Sequence, residues 1–450
     1  MSGEFTVLSP VGMLGYGYRE ADFDACVAEG VDAIVVDSGS TDPGPSMLGL
    51  GHTLVTEESY LRDLRPMVRA VHRHRIPLLI GSAGGAGTDE QVDGMVALLG
   101  RIAAEQGISL RVAAIHSQVP HGLVRDRLAQ GRIEPNVRGE LPTESDVDDT
   151  LAVVAQIGAE PFEQALAEPV DVVVAGRAYD PAPYAAFLVP RGVEPGIAWH
   201  LGKILECGGV CAEPKGGGAL ATARADSFDI RPMGPEQRCT PLSVAAHTLY
   251  ENSRPDLLAG PGGVLDVSGC DYEQLDERTV RVRGSRFEPT ERRLLKLEGA
   301  RITGHRCVFI GGIHDPVLIG QLDDFLARVE AETAALHPEL ADGTATVRFH
   351  VYGRDAVMGD REPHPVPGHE VGVLGEAVAP TPELAKAICT SARVGVLHLN
   401  YPGQLATAGN LALPLTPLDN PIGPVCAFSL YHLVDAEGIE HAVVREEVGA

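Results

Sequence analysis

Short runs rich in Val, Ile and Leu alternate with longer stretches of helical periodicity through the first half of the chain. FTVLSP, DAIVVDSGS, PLLIGSA, RVAAIHS and DVVVAGRAYD read as strands. Apolar runs of this length, bounded by Gly, Ser, Asp or Pro, fit strands buried on both faces. Between them ADFDACVAEG, EESYLRDLRPMVRAVHRHR, DEQVDGMVALLGRIAAEQG and DVDDTLAVVAQIGAEPFEQALA carry apolar residues at helical spacing. Strands separated by helices predict an α/β domain over residues 1–222, with a mostly parallel sheet that is open and doubly wound.

Near residue 225 the texture changes. FDIRPM, VLDVSG, TVRVRGSRF and LLKLEGARITGHRCVFIGGI read as strands in hairpins, and DPVLIGQLDDFLARVEAETAAL as one long amphipathic helix. ATVRFHVYG, HEVGVLGEAV and FSLYHLVD add strands, and PELAKAICTSARVGVLH another helix. This mixed order predicts an α+β domain over residues 223–450.

Four strands of the first half end in polar residues: Asp37-Ser38, Ser82, His116-Ser117, and Arg177 with Asp180. In parallel α/β sheets the carboxyl ends of the strands form the ligand crevice, although Asp and Ser there also cap the helices that follow. The loops DSGSTDPG and GSAGGAG place Ser38, Ser40, Ser82 and Gly84 where backbone N–H groups can face an anion. Neither loop is a nucleotide fingerprint: GxGxxG after a strand is absent, and Lys203 lacks Walker A spacing.

The densest chemistry lies between Trp199 and Cys270. The chain has only four lysines, and Lys203 and Lys215 both fall here. HLGKILECG reads as a helix that puts His200, Lys203 and Glu206 on one face. CTPLSVAAHTLYE places Ser243 and His247 on one face of another helix. His247 suits general acid/base work better than Ser243 suits nucleophilic attack, because the sharp turn of a G-x-S-x-G nucleophile is missing. Cys239 follows Arg238 and precedes Thr240 near a helix start, a setting that lowers thiol pKa, yet most free cysteines are small buried hydrophobes.

Formal net charge is −26, which disfavours nucleic acid, and an anionic substrate needs a local positive pocket. No apolar run reaches the ~18–20 residues of a spanning helix, and the N-terminus lacks the pattern of a signal peptide. The eight cysteines form no CxxC pair, which fits reduced thiols and a cytoplasmic location. The Cys207–Cys211 spacing is a weak zinc signal; a divalent metal is left open, and no cofactor is assigned.

DSGSTDPGP, IGSAGGAG, AGRAYDPA, HLGKILECGG, RCTPLSVAAHTLYENSRPDLLAGPGGVLDVSG, YGRDAVMG and YPGQLATAGNLALPLTPLDNPIGPV together resemble the acyclic terpene utilisation AtuA family over nearly the whole chain. The resemblance implies a catabolic setting in which acyclic terpenoid or small branched acids are handled as coenzyme A thioesters. It also implies a small companion protein as partner, and it supplies no residue-by-residue mechanism. The residues therefore point to an enzyme, a homo-oligomer by expectation, acting on a small unsaturated or hydroxylated acid or its thioester. A hydratase or other hydro-lyase needs a base, an acid and donors for an enolate. Asp37, His116, Lys203 and His247 supply the first two types. Ser38, Ser40, Ser82, Gly84, Arg177, Asp180, Arg238 and Thr240 are the candidate substrate contacts. Asp37, His116, Arg177 and Lys203 are expected to line one pocket. The alternative is a non-catalytic or half-site subunit that binds a small acid and works with the companion.

Overall fold

The computed structural model describes residues 3–137, 139–249, 254–364 and 366–449. The chain forms two compact units, one of Met1–Arg301 with Phe428–Ala450 and the other of Ile302–Ala427.

The first unit is built on a ten-stranded sheet. Its centre is parallel: β1 (Phe5–Ser9), β2 (Ala33–Asp37), β3 (Leu78–Gly81), β4 (Ser109–Ile115) and β6 (Val172–Ala175) lie in the order β1-β2-β3-β6-β4. These are the five strands that the apolar runs predict. Helices cover both faces. α1 (Glu20–Glu29), α2 (Glu57–His74) and α3 (Asp89–Gln106) bury Phe23, Leu64, Met67 and Leu99 on one side. α4 (Ala182–Leu188) and α5 (Pro195–Leu205) bury Phe187, Leu201 and Ile204 on the other. Alternate strand residues serve the two layers, as in Val35 against Val36. Local signals set the helix starts. Thr56 caps α2, and Thr88 with Gln91 forms a capping box on α3.

The rest of this sheet is antiparallel. β7 (Ala219–Ala223) pairs with β1, and β8 (Ser227–Pro232) with β7. β9 (Asp271–Gln274) and β10 (Val280–Arg283) extend that edge, while the C-terminal strand Val443–Gly449 covers β4. The boundary expected between residues 222 and 223 thus falls inside β7, because ladder hydrogen bonds carry the first sheet through it. A second correction concerns DVDDTLAVVAQIGAEPFEQALA. It is split into a short helix, the strand β5 (Ala152–Gln156) and a helix over Glu160–Leu166. Its β-branched centre AVV pairs antiparallel with Lys296–Ala300 of β11 (Leu294–Ile313). LLKLEGARITGHRCVFIGGI is a single 20-residue strand rather than a hairpin.

The second unit is α+β. Strands β12 (Thr346–Tyr352) and β13 (Val371–Ala379) join the His305–Ile313 part of β11 in antiparallel register. α7 (Leu322–Leu336) and α8 (Pro382–His398) pack on them through Phe325, Val329, Ile388 and Val396.

Candidate functional site

Asp37 ends β2. Its Oδ1 accepts the N–H groups of Ser38 at 2.9 Å and Gly39 at 3.3 Å. Protein encloses the carboxyl deeply while part of the residue stays open to water. Burial first, and then the negative charges of Asp180 and Glu206, drive its pKa well above the carboxylate range. Arg177 and the Gly39 N–H oppose the rise without cancelling it.

Arg177 follows β6 and is 4 % exposed. Its Nε donates to Glu298 Oε2 at 3.1 Å and its Nη1 to Ser82 Oγ at 3.0 Å, with Asp180 Oδ1 3.5 Å away. Burial pulls the guanidinium pKa down, but Glu298, Asp180 and Asp37 outweigh it and hold the charge on. Ser82 adopts φ +51°, a left-handed conformation that costs a non-glycine residue energy. The cost is offset where its Oγ accepts from Arg177 and from the Ala178 N–H at 3.2 Å. Ser82 therefore positions Arg177 and, being fully buried, does not face a ligand.

Lys203 on α5 forms an ion pair with Glu206, one turn on. Desolvation lowers its pKa, but Glu206, Asp180 and Tyr179 together drive it up, so the amine is a fixed cation and not a base. His247, on α6 (Pro241–Thr248), is 7 % exposed. Burial and then the charge of Lys203 lower its pKa to about 4, which leaves a neutral imidazole at pH 7. The expected continuation of this helix over Tyr250 and Glu251 lies outside the described residues.

Glu298 was not among the sequence candidates. It reaches the cluster from β11, and its other oxygen lies 2.8 Å from Lys296 Nζ in an ion pair. The signal was present as Lys-x-Glu inside an apolar strand, where period two puts Lys296 and Glu298 on one face and Leu295 and Leu297 on the other. Tyr179 was missed too. Its hydroxyl is buried, which raises its pKa, and it feels Lys203, Glu206 and Asp180. Four carboxyls (Asp37, Asp180, Glu206, Glu298) and three cations (Arg177, Lys203, Lys296) thus share this region. Within it Asp37 is driven well above the carboxylate range, whereas Arg177 and Lys296 hold Glu298 below it against its burial.

Of the four groups expected to line one pocket, Asp37, Arg177 and Lys203 share this electrostatic cluster with Asp180, and His116 does not join them. Side-chain alternation explains why. Val35 belongs to the α4–α5 layer, and Asp37 with it. Ile115 belongs to that layer as well, so His116 turns to the opposite face, where its Nε2 meets Asp93 of α3 at 2.9 Å. Other candidates are also engaged elsewhere. Ser38 is buried, and Ser40 Oγ accepts the Asp42 N–H in a turn. Gly84 takes φ +72° where a Cβ would meet Gln91 at 2.7 Å. Arg238 lies 3.4 Å from Glu213, and Thr240 caps α6 in a capping box with Ser243. Cys239 is fully buried, its sulfur 3.9 Å from that of Cys211, which is a packing role. His200 is a satisfied core histidine between Ser285 Oγ at 2.7 Å and Thr248 Oγ1 at 3.0 Å.

Among the described residues no group of three or more His, Cys, Asp and Glu is arranged to hold a metal ion, and no helix is long and apolar enough to cross a membrane. Fold and site define an α/β protein with a buried, nearly balanced ionisable cluster at the carboxyl ends of its central strands. The chain belongs to the acyclic terpene utilisation AtuA family, whose profile matches residues 51–410. Neither the curated proteins nor the solved structures give a match.

Proposed function

We propose that this chain is a catabolic enzyme that adds or removes water on a small unsaturated or hydroxylated acid carried as a thioester. The observation that carries the reading is Asp37, a partly open carboxyl whose pKa burial and its acidic neighbours drive well above the ordinary carboxylate range. Such a group donates a proton to a departing hydroxyl, or takes it back in the reverse direction. His247, neutral at pH 7, is the base for the proton next to the carbonyl. The fixed charges of Arg177 and Lys203 favour the enolate that develops. Both cations already face carboxylates, so a free acid would add an unbalanced charge here. That favours the uncharged thioester over the free acid.

Hydration and dehydration of short enoyl and hydroxyacyl thioesters test the reading. Asp37→Asn should lower turnover by about 10²–10⁴-fold, the usual worth of a general acid or base, without lowering the melting temperature. Full turnover in this variant would remove Asp37 from the chemistry. His247→Gln should remove the acidic limb of the pH–rate profile. Turnover that appears only after adding a companion subunit would transfer the chemistry to a shared site.

A further inference from the structure

The sheet of the second unit ends on a free edge. β12 is paired with β13 along one side and with no strand among the described residues along the other. The two edges of the ten-stranded sheet carry acids instead: Asp271 and Glu273 on β9, Glu446 and Glu447 on the C-terminal strand. Edge charges of this kind keep other chains off, and β12 has no acid.

α7 runs antiparallel to this free edge. Its first turn is tied beyond the Tyr352 end of β12, where Arg354 Nη1 donates to Asp323 at 2.6 Å. The turn after it closes on the Thr346 end, where the Ala345 N–H donates to Glu339 O at 2.8 Å. Between helix and edge lies a groove of about 690 Å³, lined by Leu326, Ala327, Glu330 and Ala334 of α7 and by the strand segment 345–351. The helix residues share one face, and its two alanines leave room beside the backbone. Val347 and Val351 are buried toward the helices, so Arg348 and His350 turn to the opposite face of the sheet.

Most charges at the groove are matched. Arg354 faces Asp323 and Asp355, and His350 lies 3.4 Å from Glu376. Glu330 on the helix and Arg348 on the strand are exposed and make no ion pair among the described residues. The helix wall is left with one unmatched acid and the strand with one unmatched base.

We propose that this groove binds an extended peptide segment of another protein, which adds to β12 as a further strand alongside α7. Backbone hydrogen bonds to the free edge supply the affinity. Period two then sorts the side chains of the added strand. The row that faces Leu326, Ala327 and Ala334 is apolar with a basic residue near Glu330, and the other row carries an acid beside Arg348. A second copy of the chain fits less well. Pairing two β12 strands about a two-fold axis brings two α7 helices side by side, and each carries Asp323, Asp324, Glu330 and Glu332 against Arg328 alone. The groove lies within the second unit and does not depend on the proposed chemistry.

Fluorescence anisotropy with two labelled, capped peptides of alternating Val and Thr tests the site. One has Lys at the centre of its Val row and Glu on either side; the other has Glu at the centre and Lys on either side. The first should bind the intact chain, and the second should bind about fivefold more weakly or worse, because several exposed charge pairs are reversed together. Arg348→Glu should weaken the first peptide, and replacing its two Glu by Lys should restore binding to that variant. Ala327→Trp, which fills the groove from an exposed helix position, should abolish binding, while Ala331→Trp, on the same helix outside the groove, should not change it. No binding of the first peptide, equal binding of both, or equal loss in the two Trp variants would overturn the site. A dimer that sedimentation shows to become a monomer in Ala327→Trp would give the groove to a second copy and overturn the peptide.

Discussion

Each compact unit buries an arginine against a carboxylate, and the two pairs differ in what surrounds them. In the second unit Arg393 Nε and Nη2 donate to the two oxygens of Asp419 at 2.7 and 3.1 Å, and Thr390 donates to the same carboxylate at 2.9 Å. One cation meets one anion, and Arg393 with Thr390 hold Asp419 below the ordinary carboxylate range against its burial. In the first unit Arg177 meets Glu298 in the same way, but Asp180 and Asp37 crowd the same guanidinium. The surplus carboxyl is pushed in the opposite direction from Asp419. A matched pair holds a fold together; a pair with an extra acid stores a proton.

Removing the cation should have the largest effect. Arg177→Ala leaves Glu298 and Asp180 without their partner in a buried region and should cost about 3–5 kcal/mol. As the substrate contact expected from the sequence, Arg177 would give a binding defect when lost; its burial makes a folding defect the expected outcome. Unit-resolved hydrogen exchange should show the loss in the first unit, and unchanged protection there would undo the account of the cluster.

Neutralising the acids should separate the two regions. Asp419→Asn breaks a satisfied pair and should cost about 1.5–3 kcal/mol. Asp37→Asn fixes the neutral form in both the folded and the unfolded chain, so it should change stability by less than about 1 kcal/mol below the unfolded carboxyl value near 3.8 and should stabilise the fold above it. Chemical denaturation of both variants decides this, and equal losses would show that Asp37 is ionised.

The pH dependence should follow with opposite signs. Asp419 has a depressed pKa, so its contribution is present above the unfolded value near 3.8 and is lost as pH falls through the folded value. Asp37 has a raised pKa. The folded state binds the extra proton above 3.8, and stability declines as pH rises through the window up to the folded value. Asp37→Asn should abolish that decline. His247 is neutral in the fold down to about pH 4 and charged when unfolded below 6.5, so stability should rise between those values. His247→Gln should flatten that rise in a pH series of melting curves.

The smallest effect concerns a thiol outside both clusters. Cys239→Ser should retain most of its turnover and lose about 1 kcal/mol of stability, because Cys239 only packs against Cys211. Complete loss of turnover in a folded variant, with an adduct on Cys239, would point to covalent chemistry instead.

The five central strands, three of the four helical segments between them and the polar residues at the strand ends were legible in the chain, because periodicity and β-branched runs are local signals. So was the grouping of Asp37 with Arg177 and Asp180, which follows from parallel strands ending on one side. The side of the sheet that His116 takes was not legible. It depends on the pleat at Ile115 relative to helices that only packing places. Glu298 was hidden for a related reason. It lies 121 residues from Arg177, and only the pairing of β11 with β5 brings them together. The sequence determined which groups could carry charge and proton. Tertiary structure decided which of them meet, and so which carboxyl keeps its proton, because desolvation and opposing charge act through space and not along the chain.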